Sequence, residues 1–161
     1  MREIKFKGKC LEPPTFYGKT VCGSLVTSPD GTERIFEHVC DQSFCYFSVD
    51  PKTVRQFTGF FDKNGNEIYE GDVLRSDEYP YSCIEDNERD NYFAVVYYCE
   101  EGACFATVTA KNLKSDVIGI SDGIIDNVSQ QKMKKFEIVG NIHDPEWKQY
   151  GAYFQSEETK D

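Results

Sequence analysis

The sequence has no long apolar run and little positive charge to set against its negative charge. No window approaches the ~20 apolar residues that a membrane-spanning helix requires. The opening Met1-Arg2-Glu3-Ile4-Lys5-Phe6-Lys7 carries charges where a secretory leader needs an uninterrupted apolar stretch. A cytoplasmic protein without membrane association is therefore expected. Against 28 Asp and Glu stand only 18 Lys and Arg, a formal net charge of −10. Binding a phosphate backbone needs clustered cations to displace counterions, so nucleic acid is disfavoured as a partner. The densest cationic stretches, Lys5 to Lys9 and Lys132 to Lys135, hold three lysines each and read as solvated faces. Also missing are a phosphate-cradling glycine loop, a P-loop lysine, a nucleophile elbow, a helix-borne metal motif, an internal repeat and a low-complexity tract.

What is present is a chain of 161 residues with 12 Phe and 10 Tyr. That length is enough for a core, and these residue types favour half-buried pleated positions over helices. Seven cysteines, at 10, 22, 40, 45, 83, 99 and 104, cannot all pair within one chain. A reducing compartment keeps them as thiols, most of them small strand or core residues.

Ile4 and Phe6 alternate with Glu3, Lys5 and Lys7, the period of a half-buried strand, until Pro13-Pro14 removes two backbone donors. Residues 20–28, 34–40 and 44–49 are rich in Val, Phe, Thr and Tyr and are separated by turn formers, which predicts a three-stranded meander. Asp50-Pro51 offers a cap and a first-turn proline for one helical turn over 51–56. Asn64-Gly65 predicts a hairpin with a two-residue type I′ turn, and Gly71 a bend or bulge beyond it. Segments 92–99 and 103–109 predict a second hairpin, 117–120 and 136–142 add apolar β-branched segments, and 127–135 is the best short helix. The polar end, 156–161, reads as a flexible tail.

Three segments together resemble the YopX family. They are the opening Arg2-Glu3-Ile4-Lys5-Phe6-Lys7-Gly8-Lys9, a central block from Val49 to Val73, and the closing Val139-Gly140-Asn141-Ile142-His143. The central block carries most of the weight through Gln56-Phe57-Thr58-Gly59 and the run from Asp62 to Asp72. Gly23-Ser24-Leu25-Val26 is similar to the family's early strand, with Cys22 where tyrosine is more usual, and 76–104 matches nothing in the family pattern. The resemblance implies a mainly β, antiparallel, barrel-like fold with one or two short helices, in a phage or prophage protein. It implies no known reaction. A single domain over 1–155 is expected, with an acidic insert at about 76–90 read from its run of carboxylates, and no cofactor is expected. Self-association is compatible with such a fold.

Four constellations carry chemistry in principle. Asp62-x-Asn64-x-Asn66 begins like a calcium loop, but Glu67 stands where glycine is needed and Val73 where a bidentate Glu is needed. Cys40-x4-Cys45 and Cys99-x4-Cys104 could give four thiolates to zinc, with His38 near the first pair, although neither has the usual Cys-x2-Cys knuckle. His38 or His143 could pair with a thiol, and nothing marks which. Glu70 and Asp72 would share a strand face with Glu67 opposite, a pattern common on solvated sheets.

No catalytic residue is assigned. The favoured reading is a non-enzymatic module that contacts a host or phage protein through the acidic, Tyr-flanked insert, with Asp77, Glu78, Tyr79, Tyr81, Glu85 and Asp86 as the candidate face. Tyr92, Phe93, Tyr97, Tyr98 and Phe105 flank it, and alternation along 92–99 predicts that both faces of that strand are covered. The alternatives are an enzyme using a carboxylate or thiol in a barrel mouth, and an acidic mimic of nucleic acid.

Overall fold

A computed structural model describes residues 3–39, 43–77, 92–100, 102–110 and 126–147. The chain divides into two compact units, Met1–Gly59 and Phe60–Asp161.

The first unit is an antiparallel sheet of β1 (Phe6–Lys9), β2 (Thr20–Thr27), β3 (Glu33–Val39), β4 (Ser43–Ser48) and the start of β5 (Arg55–Phe61), in the order β4-β3-β2-β1-β5. β2, β3 and β4 are the expected meander, with Leu25 opposite Ile35 and Ile35 opposite Phe47. The turn between β2 and β3 is tied by the Asp30 carboxylate, which accepts the Thr32 N–H at 3.0 Å. Cys10, Val21, Ile35, Phe47 and Val49 form the core, with Phe6, Leu25 and Val54 packed against it. Ile4, expected on the buried face of the first strand, is 64% exposed, because the strand begins only at Phe6. The helical turn expected over 51–56 is one 3-10 turn, Pro51–Thr53, capped by Asp50 accepting from Lys52 N–H. Arg55 and Gln56 are taken by β5, which pairs with β1.

Among the described residues neither sheet closes on itself, which corrects the expected barrel. In the first unit the approach to closure among the described residues is one bridge, Cys10 opposite Val49, flanked by Leu11 N–H to Ser48 C=O (2.8 Å) and Asp50 N–H to Lys9 C=O (2.9 Å). Pro13 and Pro14 follow at once and have no N–H to give, so the bridge cannot grow into a ladder.

In the second unit β5 ends at the predicted hairpin and returns as β6 (Glu67–Tyr69). The hairpin is where Asn-Gly placed it, but the turn differs from type I′. Among the described residues only Ala103 has positive φ without being glycine, so Asn64 stays right-handed and Gly65 alone (φ 83°) crosses over. Gly65 N–H donates to Asp62 C=O (3.1 Å) and Asp62 N–H to Asn66 C=O (2.9 Å), a type I turn followed by a glycine bulge. The cause is Asp62, whose Oδ1 accepts the N–H groups of both Asn64 and Asn66 at 2.8 Å and holds the turn in that hand.

Gly71 (φ 76°) then separates β6 from β7 (Asp72–Ser76). β7 joins β8 (Tyr92–Cys99), β9 (Cys104–Ala110), β10 (Asp126–Asn127) and β11 (Glu137–Asn141) in an antiparallel sheet of order β10-β9-β8-β7-β11. The predicted hairpin of 92–99 and 103–109 is β8 and β9. The segment 117–120 lies outside the described residues. Both faces of this sheet are covered, as alternation along 92–99 predicts. Leu74, Ala94 and Val96 pack on one side with Ile68, Met133 and Phe136. On the other, Val73 and Val95 pack with Phe93, Val139, Ile142 and Trp147. Ile138 and Val139 each meet apolar surroundings, one on each face as strand alternation requires, and the register shifts between Ile138 and Gly140.

The helix expected over 127–135 shrinks to α1 (Gln130–Met133), capped by Ser129. Asp126 and Asn127 are spent on pairing with β9, and the chain turns at Lys134–Lys135 so that Phe136 is fully buried. Gln130 substitutes for a neighbouring strand at the end of β5: its amide accepts from Phe61 N–H (3.2 Å) and donates to Phe61 C=O (2.9 Å).

Candidate functional site

An open groove of the first unit lies between the segment after β1 and the outward side of β4. Leu11, Glu12, Pro13, Pro14, Tyr17, Tyr46 and Ser48 line a groove of roughly 660 Å³. Its shape follows from the sequence. Pro13-Pro14 ends β1 and starts a 3-10 turn, Pro14–Phe16, which folds back because Gly18 N–H reaches Cys10 C=O and Cys10 N–H reaches Lys19 C=O, both at 2.8 Å. Phe16, itself 40% exposed, leans on the sheet: its ring lies 5.2 Å from that of the core residue Phe47 and carries the Lys19 ammonium at 5.1 Å. Alternation on β4 sends Phe47 inward and Tyr46 outward against Phe36, at 5.7 Å between rings. Tyr17 is 70% and Tyr46 62% exposed, beside Leu11 at 42%. Large apolar side chains held in solvent by a rigid turn are the usual mark of a contact surface.

The acidic face predicted from sequence is only partly within view. Asp77 is exposed, and the structure engages it: Lys63 Nζ lies 3.6 Å from its Oδ2 and Arg75 Nη2 3.8 Å from its Oδ1. Both cations also hold Glu137, Lys63 at 3.0 Å and Arg75 through its Nη2. The hydrogen bond from Lys63, helped by Arg75, draws the Glu137 carboxyl below the usual carboxylate range, and Glu137 in turn raises Lys63. Asp77 thus closes a balanced charge cluster. Glu78, Tyr79, Tyr81, Glu85 and Asp86 lie outside the described residues.

The four thiols weighed for zinc separate as follows. Cys40 is outside the described residues and Cys45 is exposed on β4. Cys99 and Cys104 stand directly opposite each other across the β8–β9 hairpin. Among the described residues no group of three or more His, Cys, Asp or Glu is arranged to hold a metal ion.

The carboxylates on either side of the hairpin are structural. Asp62 is 3% exposed, and besides the two turn amides its Oδ2 accepts from Asn66 Nδ2 (3.1 Å) and from Ile138 N–H (3.2 Å). Burial pushes this carboxyl up, and the donors of Asn66, Ile138 and Asn64 more than reverse it, leaving it below the usual range. A carboxylate with its lone pairs spent on protein donors is a poor calcium ligand. Glu70 and Asp72 do not share a strand face as expected, because Gly71 interrupts the strand between them. Asp72 is buried rather than solvated. Its Oδ2 accepts from Tyr69 N–H at 2.7 Å and its Oδ1 from Asn141 Nδ2 at 3.0 Å. Asn141 is held by Asp144, whose Oδ2 accepts its N–H at 3.0 Å, and Asn141 Oδ1 accepts from His143 N–H. Glu67 receives the Tyr69 hydroxyl at 2.8 Å.

Sequence reasoning missed the groove. Pro13-Pro14 read only as a strand stop, although Pro-Pro-Thr-Phe-Tyr puts rigid backbone and large rings together in a loop. That Tyr46 would lie beside it depends on the Cys10–Val49 bridge, a contact no local pattern announces.

The YopX protein family model matches residues 15–146. Among solved structures, the crystal structure of protein EF1440 from Enterococcus faecalis is 17% identical, the match covering 89% of this chain and 95% of that one with a TM-score of 0.48. None of the curated proteins matches.

Proposed function

The chain belongs to the YopX family, and from that membership we propose that it is a protein-interaction module of a phage or integrated element, without catalytic activity. The supporting observation is the groove of the first unit, where Tyr17 and Tyr46 stand exposed over a proline-stiffened turn. Aromatic and proline walls suit an extended or polyproline segment of a partner, whose rings and methylenes find flat, preformed surface there. Glu12 lines the groove and the chain carries a net charge of −10, so the preferred segment is apolar with a basic flank. The acidic stretch 76–90, with Glu78, Tyr79, Tyr81, Glu85 and Asp86, fits the same reading as a second contact for a host or phage protein.

The test is affinity capture from host lysate with the wild-type chain beside a Tyr17→Ala/Tyr46→Ala variant and a variant with Glu78, Glu85 and Asp86 changed to the amides. A protein retained by the wild type and lost from the tyrosine variant supports the groove. Retention by the tyrosine variant overturns the groove as the contact, and failure of the wild type to retain any protein above background overturns the module.

A further inference from the structure

We propose that Cys99 and Cys104 are a modification site: a cross-strand dithiol at the tip of the β8–β9 hairpin that closes reversibly into a disulfide by exchange with a small-molecule disulfide. The two residues are register partners at the last rung of the ladder. Residues directly opposite on antiparallel strands have Cα atoms about 4.5–5.5 Å apart, inside the roughly 4.4–6.8 Å that disulfides usually span. Being opposite, they also point to the same side of the sheet. Their sulfurs converge: the position a Cβ on Gly102 would take lies 3.1 Å from Cys104 Sγ and 3.5 Å from Cys99 Sγ. Closure therefore needs side-chain rotation and no change of register.

The surrounding hairpin holds this arrangement and leaves it open to reagents. Ala103 N–H donates to Glu100 C=O at 3.1 Å, Ala103 takes a positive φ of 48°, and the next rung inward, Tyr98 with Phe105, meets edge to face at 5.3 Å. Both thiols are half-buried, and Gly102 beside them is exposed and has no side chain to block approach. The other described cysteines have no thiol opposite. Cys45 faces Glu37 and Cys22 faces Lys7 in register, and Cys10 is buried with its Sγ donating to Glu12 C=O.

The exchange balances with oxidised glutathione as oxidant. The thiolate of one cysteine attacks a glutathione sulfur, forming a mixed disulfide and expelling one glutathione thiolate, which takes up the proton lost by the attacking thiol. The second cysteine, deprotonated in its turn, attacks the protein sulfur of that mixed disulfide and expels the second glutathione. Two protein thiols are oxidised and one glutathione disulfide is reduced to two thiols.

The test treats the reduced full-length chain with oxidised glutathione near neutral pH, quenches with acid, and reads intact mass and a non-reducing peptide map. The expected product has lost two hydrogen atoms, links Cys99 to Cys104 within one chain, keeps its circular dichroism, and returns to the dithiol with reduced glutathione. In Cys104→Ser the reaction should stop at a glutathione adduct on Cys99, and Cys99→Ser should stop at one on Cys104. Persistent adducts on the wild-type pair, oxidation confined to Cys45 or another cysteine, or a link from either residue to a different cysteine would each overturn the proposal.

Discussion

At the scale of single residues, Asp62 does the most with one side chain, setting the hand of the hairpin turn and reaching across to Ile138 N–H on β11. Removing it leaves several donors short of an acceptor, so Asp62→Ala should cost about 2–4 kcal/mol, read as a lower urea midpoint at unchanged slope. Asp62→Asn keeps one acceptor oxygen and should cost less. The carboxyl sits below its ordinary value of 3.8 in the folded chain. Its stabilising share is thus complete above that value and is lost as pH falls from there through the folded pKa. Acid titration of stability should fall less steeply below about pH 4 in Asp62→Asn than in the wild type, and equal slopes would assign the acid loss elsewhere. Gly71 has a different role. Its φ of 76° costs a side-chain-bearing residue about 1–2 kcal/mol. An added Cβ would also lie 3.0 Å from Ile142 Cγ1 and 3.2 Å from Asn141 Nδ2. Gly71→Ala should therefore destabilise by about 2 kcal/mol or more in the same urea assay, and a neutral result would mean that the turn relaxes freely.

At the scale of elements, the strands were largely legible because their signals are local. Alternation and turn formers placed β2, β3, β4, β8 and β9 close to their observed ends, and Asn64-Gly65 placed the hairpin. What local signals missed came from competition between neighbours. The helix read over 127–135 lost its start to a pairing with β9 and its end to the burial of Phe136, and the type I′ turn lost to the Asp62 side chain. The barrel reading failed for a related reason, since nothing short-range tells an antiparallel sheet whether its outer strands meet. α1 itself is one turn long, too short to stand on propensity. Its place depends on buried Met133 and on the two bonds from Gln130 to Phe61. Gln130→Ala should therefore cost about 1 kcal/mol and speed hydrogen exchange at the Phe61 amide. Gln130→Glu keeps the acceptor for that amide, so it should preserve protection there. Fast exchange in Gln130→Glu as well would show that the amide is guarded by something other than the Gln130 oxygen.

At the scale of the whole molecule, the sequence was informative about charge and much less so about the site. The acidic face was chosen because carboxylates and tyrosines adjoin in sequence, yet Asp77 is neutralised by Lys63 and Arg75, and the groove assembles from residues about thirty positions apart. Net charge makes a prediction independent of either surface. With 28 acidic against 18 basic residues, the folded chain carries a net negative charge that repels itself. Self-repulsion penalises the compact chain more than the expanded one, so this penalty is relieved as pH falls towards the pI and grows as pH rises. Asp62 and Glu137 run the other way, their folded values being lowered, and their contribution is lost on acidification. The two trends cross. At low ionic strength, stability should climb as pH falls from 7 towards the pI near 4.7, and should drop once Asp62 begins to protonate below about pH 4. Salt distinguishes them, because raising ionic strength from ~0.01 to ~0.1 M shortens the screening length from roughly 30 to 10 Å. That screens the diffuse repulsion far more than hydrogen bonds to a buried carboxylate. Melting curves across pH at these two salt levels should show the upper limb flattened, with Tm at pH 7 raised, and the acid limb nearly unmoved. If the upper limb kept its slope in salt, long-range repulsion would not be its cause, and the protonation of particular groups would have to account for it.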